Sequence, residues 1–206
     1  MCHKILQNCL ERHPALVTCA GDIEDAVAQL CKILEAGGKV LICGNGGSAA
    51  DSDHIAGELL KGFAKQRPIP TEWKGKLGEN LASNLQCGLP VIPLTIFNSL
   101  SWAFANDCNP EYTFAQLTFA LGQHGDALLC ISTSGNSPNV LHAAKTARAR
   151  GLATIGLTGE SGGKLKDLVD CCIRVPASNV WEVQEMHLPV YHAVCLMLEE
   201  KIFPGT

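Results

Sequence analysis

The sequence is poor in charge and in aromatic rings, at 17% and 5% of its residues, and its formal charge is only -4. So slight a balance leaves no broad basic face for nucleic acid or an anionic membrane, and any anion has to be gripped locally. No run of eighteen apolar residues occurs, which excludes a membrane-spanning helix, and the polar start Met1-Cys2-His3-Lys4 leads into no apolar signal core. Eleven cysteines are present without a single CxxC pair, which removes the usual zinc-thiolate spacing. Their number is odd and they lie in apolar stretches such as Val40-Leu41-Ile42-Cys43, the habit of buried free thiols, so a reducing, cytoplasmic setting is expected. Neither GxxxxGK[ST] nor GxGxxG occurs, and no nucleotide cofactor is expected.

What is present is enough apolar sequence, 47% of 206 residues, for one domain with one substantial core. Residues 2–13 read as a helix stopping before Pro14, and Ile23, Ala26, Val27, Leu30, Ile33 and Leu34 mark the apolar face of a second. These N-terminal helices, 1–36, precede a repeating strand-turn-helix rhythm. Lys39–Cys43 is a strand entering Gly44-Asn45-Gly46-Gly47-Ser48 and a helix from Ala49 to about Phe63. Val91–Thr95 is a second strand, and Ala127–Ser132 a third, which runs through Thr133-Ser134-Gly135-Asn136-Ser137 into a helix over 138–150. Ala153–Thr158 and Cys171–Val175 add two strands, and a helix over 180–201, interrupted at Pro189, closes the chain. Strands this apolar, separated by helices, imply an α/β fold with a mostly parallel sheet covered on both faces. The 64–90 segment breaks the rhythm. Leu77, Leu81 and Leu85 suggest one short helix there, in an insertion that could act as a lid or a subunit contact.

Both Gly/Ser turns fall where ligands bind in such sheets, beyond the carboxyl ends of the strands. Four hydroxyls crowd around Gly135 just ahead of a helix, and helix-terminal amides favour an anion. Hydroxyl and amide donors can hold a phosphate without a guanidinium, which reconciles anion binding with an acidic chain. The plainer alternative is that Ser137 merely caps its helix. His54 and Glu58, four apart, share a helical face. Gln184 and His192 are eight apart, about 80° around the last helix, and a bend at Pro189 would bring them nearer. His187, about 140° from His192, receives no role. Trp73 and Trp181 are expected to pack rather than to line a pocket.

Cys43-Gly44-Asn45-Gly46-Gly47-Ser48, His54, Glu58, Asn106-Asp107, Ile131 to Ser137, Leu157-Thr158-Gly159, Gln184-Glu185-Met186-His187 and His192 together resemble the sugar isomerase (SIS) domain family, in particular the phosphoheptose isomerases. The resemblance covers nearly the whole chain. It implies a three-layer αβα sandwich on a five-stranded parallel sheet, flavodoxin-like, and a homotetramer with active sites at subunit interfaces. The substrate implied is a phosphorylated sugar, first sedoheptulose 7-phosphate, isomerised between ketose and aldose. Phosphate contacts map onto Ser48, Ser132, Thr133, Ser134 and Ser137, with Asn45, Gly46 and Gly47 lining the first loop and Asp107 and Gln184 touching substrate. Glu58 and His192 take the catalytic positions. His54, Glu58, Gln184 and His192 match a metal site of some members, with zinc an optional occupant. Gly62 stands where an arginine is common, leaving Lys61 or Lys65 as imperfect substitutes. The rival reading is a non-catalytic module that binds phosphosugars or associates with a replication initiator; Glu58 argues against the latter, whose known example lacks a glutamate there.

Overall fold

The structure is a computed structural model describing residues 2–205. In chain order the elements are α1 (Cys2–Arg12), α2 (Ala20–Glu35), β1 (Val40–Gly44), α3 (Gly47–Leu59), α4 (Glu72–Leu77), α5 (Glu79–Ser83) and β2 (Val91–Pro93). They continue with α6 (Asn98–Asp107), α7 (Thr113–Leu121), β3 (Ala127–Ile131), α8 (Pro138–Ala149), β4 (Ala153–Thr158), β5 (Cys171–Arg174) and α9 (Val180–Ile202). The five strands form one parallel sheet in the order β2-β1-β3-β4-β5. This is the three-layer, flavodoxin-like arrangement.

Strand alternation splits the core in two. Val40 and Ile42 point with Leu129, Ile131, Ile155 and Leu157 into a layer built by α1, α2, α3 and α9. Leu41, Cys43, Leu128 and Cys130 point the other way, against Phe114 and Leu117 of α7 and Val140, Ala143, Ala144 and Ala147 of α8. Every residue of β1 and β3 is buried, as sheets covered on both faces require.

Several boundaries differ from expectation for identifiable reasons. β1 begins and ends one residue later than Lys39–Cys43. α3 starts earlier and stops at Leu59 rather than Phe63, because the amides of Phe63 and Ala64 leave the helix to donate to the Glu199 carboxylate at 2.9 and 2.8 Å. β2 covers only Val91–Pro93 before a 3₁₀ turn; Pro93 is tolerated because β2 is an edge strand. The single short helix expected through Leu77, Leu81 and Leu85 is two helices, α4 and α5, parted at Gly78 with φ +82°. α9 runs unbroken past Pro189, held from both sides by buried Val183, His187, Val190 and Val194. Trp73 and Trp181 do not pack into the core: they are 40% and 63% exposed.

The start of the 64–90 insertion is clamped to α9. Arg67 and Glu199, with side chains 0% and 1% exposed, pair at 2.7 Å, and Arg67 also donates to the Leu59 carbonyl at 2.9 Å. Lys65 pairs with Glu200 at 2.7 Å. Burial alone pushes the Glu199 carboxyl up, but the two amides and Arg67 outweigh it and hold its pKa below the usual glutamate range. Its stabilisation is therefore present above the ordinary glutamate pKa of about 4.3 and is lost as pH falls through the depressed native value. Replacing Arg67 with Met should cost about 3–5 kcal/mol in urea unfolding, because Glu199 is left charged and buried. The double replacement Arg67→Met with Glu199→Leu should recover most of that loss; a single replacement costing as little as the double would show that the clamp carries no such role.

Candidate active site

The register of the sheet decides where the site lies. Gly44 pairs with Ile131, so the turns that follow β1 and β3 leave the same edge of the sheet side by side. The first turn needs Gly46, whose φ is +55°, and Gly44, where a Cβ would sit 2.8 Å from the Ser48 Cβ. Ser48 is buried at the first turn of α3, while Asn45, Gly46 and Gly47 are exposed. In the second turn Ser132 is buried and its hydroxyl lies 3.1 Å from that of Ser137. Ser137 occupies the N-cap position of α8 but makes no capping bond, so the plainer reading of this serine does not hold. Ser134 Oγ accepts from the Asn136 amide at 3.1 Å. Thr133 is half-buried, and its carbonyl accepts from the Gly159 amide at 3.0 Å.

Asn139, which sequence reasoning did not single out, ties the two turns together. Its side chain exchanges two hydrogen bonds with that of Asn45, at 2.9 and 2.8 Å. The only sequence signal for it was a polar residue in the first turn of α8. Beside this pair opens a cleft of about 530 Å³, lined by Asn45, Gly46, Thr95, Asn98, Trp102 and Asn139. Asp107 closes α6 in an exposed position, accepting from Asn106 Nδ2 at 2.9 Å.

A second polar group gathers further along the seam between α3 and α9. His54 Nε2 lies 3.2 Å from Glu58 Oε1, and His54 Nδ1 lies 3.0 Å from the Tyr191 hydroxyl. The His54 and His192 rings meet edge to face at 5.1 Å, and the Phe63 ring lies tilted against His192 at 5.4 Å. Glu58 also accepts from Lys61 at 3.3 Å, and its side chain is 18% exposed. Tyr191 was not anticipated; it carries no motif and is found only through its contact with His54. Burial, then the charge of His54, hold the His192 imidazole below its ordinary pKa. His187, also on α9, is wholly buried, and burial pushes it down to about 4, so it is neutral near pH 7.

Gln184 does not join that group. A Cβ on Gly47 would meet its Nε2 at 2.7 Å, which places Gln184 at the first turn, and His192 follows about 12 Å further along α9. Gln184 beside Gly47, His192 beside His54 and Glu199 beside Phe63 show that α3 and α9 run parallel. The donors His54 Nε2, Glu58 and the buried, unpartnered His192 Nε2 are of the kinds zinc accepts. As they stand, however, His54 and Glu58 are bonded to each other, the fourth donor is two turns away, and no group of three or more His, Cys, Asp or Glu side chains among the described residues is arranged to hold a metal. The four residues do not fit a closed zinc site within one chain.

Comparison with known proteins agrees with this architecture. The SIS domain family matches residues 7–86 and 90–159. The chain is 40% identical over 184 residues to a phosphoheptose isomerase of Rhodospirillum rubrum, covering 89% of this chain and 88% of the relative. It is 39% identical over 192 residues to that of Akkermansia muciniphila, covering 93% and 91%. The solved phosphoheptose isomerase of Neisseria gonorrhoeae superposes with a TM-score of 0.76 at 32% identity, covering 92% of this chain and 91% of that one. With hydroxyl-rich turns at one edge of a β2-β1-β3-β4-β5 sheet and nearly full-length similarity to these proteins, the chain belongs to the SIS domain family, among its phosphoheptose isomerases.

Proposed function

We propose that this chain isomerises sedoheptulose 7-phosphate to D-glycero-D-manno-heptose 7-phosphate through an enediol, with Ser48, Ser132, Thr133, Ser134 and Ser137 cradling the phosphate. The observation that carries the reading is the meeting of a carboxylate and two imidazoles, Glu58, His54 and His192, on the seam that begins at the phosphate turns. Moving a carbonyl from C2 to C1 requires a base to take the C1 proton and return it at C2. Glu58 is that base, its carboxylate held by His54 and Lys61. His192, neutral near pH 7, moves the proton between the two oxygens. Asp107, Gln184 and the Asn45–Asn139 pair bear on the sugar hydroxyls. Zinc is given no role, because His54, Glu58, Gln184 and His192 are not arranged to hold it within one chain. No step above depends on it.

Active sites shared between subunits of a homotetramer remain what the resemblance to phosphoheptose isomerases implies. Ser48 and Glu58 are ten residues apart, about 15 Å along the helix axis. A fully extended heptose phosphate reaches on the order of 10 Å from phosphorus to C1, for eight covalent bonds of about 1.5 Å each in a zigzag. With a contact distance of about 3 Å at the phosphate and again at the carboxylate, that reach becomes roughly 16 Å, so the spacing is compatible with Glu58 of the same subunit or of a neighbouring one. No helix among the described residues is long and apolar enough to cross a membrane, and the eleven free thiols favour a reducing cytoplasm. A purely binding role is less well supported, because it gives the Glu58, His54 and His192 group nothing to do.

With sedoheptulose 7-phosphate in deuterated water, wild-type protein should place solvent deuterium on carbon, and Glu58→Gln should lower kcat by roughly 100- to 10,000-fold with sugar phosphate binding retained. Absence of carbon-bound deuterium in wild-type reactions would favour the binding role. The depressed His192 pKa sets the pH response: kcat/KM should hold level on acidification until below about 6.5, the ordinary histidine value, and then fall as the imidazole takes up a proton. An acid limb centred at or above that value would contradict the role given to His192.

A further inference from the structure

The turn that carries Ser132 to Ser137 does not stand alone. The segment following β4, residues 159–165, lies directly against it, joined by three hydrogen bonds that belong to no strand or helix ladder. Gly159 N donates to the Thr133 carbonyl at 3.0 Å, Leu165 N to the Gly135 carbonyl at 3.0 Å, and Lys164 N to Asn136 Oδ1 at 3.1 Å. Asn136 closes the circuit, its Nδ2 donating to the Ser134 carbonyl at 2.9 Å.

The two backbones touch with no side chain between them. Gly135, Gly162 and Gly163 have φ of +63°, +68° and +51°, values L side chains rarely adopt. A Cβ at Gly135 would collide with the Gly162 carbonyl and sit 2.9 Å from the Gly163 nitrogen. One at Gly163 would collide with the Ser134 carbonyl and sit 2.6 Å from the Gly135 carbonyl carbon. Sheet formation does not require this contact, since the β3–β4 ladder is already complete at Ile131 and Leu157. What the contact constrains beyond the ladder is the hydroxyl turn.

We infer that residues 159–165 form a strut that fixes the phosphate turn, with Asn136, Gly162 and Gly163 as positioning residues. The inference rests on the reading of Ser132–Ser137 as the phosphate cradle. A cradle made of hydroxyls and amides has no long flexible cation that can follow a displaced anion, so its affinity depends on the turn being held within a fraction of an ångström. Pulling the Ser134–Gly135 peptide away from the strut misaligns several donors at once. Because the strut touches the turn and not Glu58 or His192, its loss weakens binding of the phosphate and leaves proton transfer nearly intact.

The test compares Asn136→Ala and Gly163→Ala with wild-type protein, using sedoheptulose 7-phosphate as substrate and inorganic phosphate as competitive inhibitor. Asn136→Ala should raise KM and the phosphate inhibition constant together by about tenfold while kcat stays within about twofold, the pattern of lost uniform binding. Gly163→Ala should do the same more strongly. If Gly163→Ala fails to fold, Asn136→Ala still decides, because it removes atoms and adds none. Unchanged constants in Asn136→Ala, or a fall in kcat with KM unmoved, would overturn the strut while leaving the cradle reading in place. Failure of inorganic phosphate to inhibit wild-type turnover would overturn the cradle reading and the strut with it.

Discussion

The in-register parallel pairing of β1 with β3 and of β3 with β4 is the constraint on which the rest depends. Gly44 opposite Ile131 and Ile131 opposite Leu157 mean that three successive turns leave one edge of the sheet at one level. Two of these turns carry hydroxyls and the third leans on the second. An acidic chain of formal charge -4 can then hold an anion with neutral donors, because position replaces charge. The positive φ values of Gly46, Gly135, Gly162 and Gly163 are the conformational requirement of packing three turns so closely.

A second axis runs away from that edge along the parallel helices α3 and α9. It starts where Gln184 meets Gly47, passes His54, Glu58, Tyr191 and His192, and ends where Glu199 captures the amides of Phe63 and Ala64. The Arg67–Glu199 pair at its far end fixes the exit of α3 and therefore the stretch on which Glu58 and Lys61 stand. The hydroxyl turns and the Glu58, His54 and His192 group thus occupy different stations on one seam.

The fold was largely legible in the residues because apolar runs and Gly/Ser turns alternate with little ambiguity. Five strands, their parallel arrangement and the hydroxyl turns all follow from that alternation. Boundaries failed where a distant partner intervened: nothing local to Phe63 announces that Glu199 will take its amide, 136 residues away. Pro189 misled in the opposite sense, since packing on both sides carries α9 through it. In the site, His54 and Glu58 were readable from their spacing of four. Tyr191 and Asn139 were not, because their roles arise from contacts between elements. Gln184 lies beside Gly47, away from the histidines, on an α9 that runs unbroken through Pro189, where a bend would have brought it nearer to His192.

The most direct measurement is a crystal structure of the assembled protein with sedoheptulose 7-phosphate bound, using Glu58→Gln to arrest turnover. The account predicts the phosphate among Ser48, Ser132 and Ser137, with C1 and C2 of the sugar beside residue 58 and His192 of the same or an adjoining subunit. A phosphate bound elsewhere, or a reactive end that approaches residue 58 and His192 of no subunit, would contradict it.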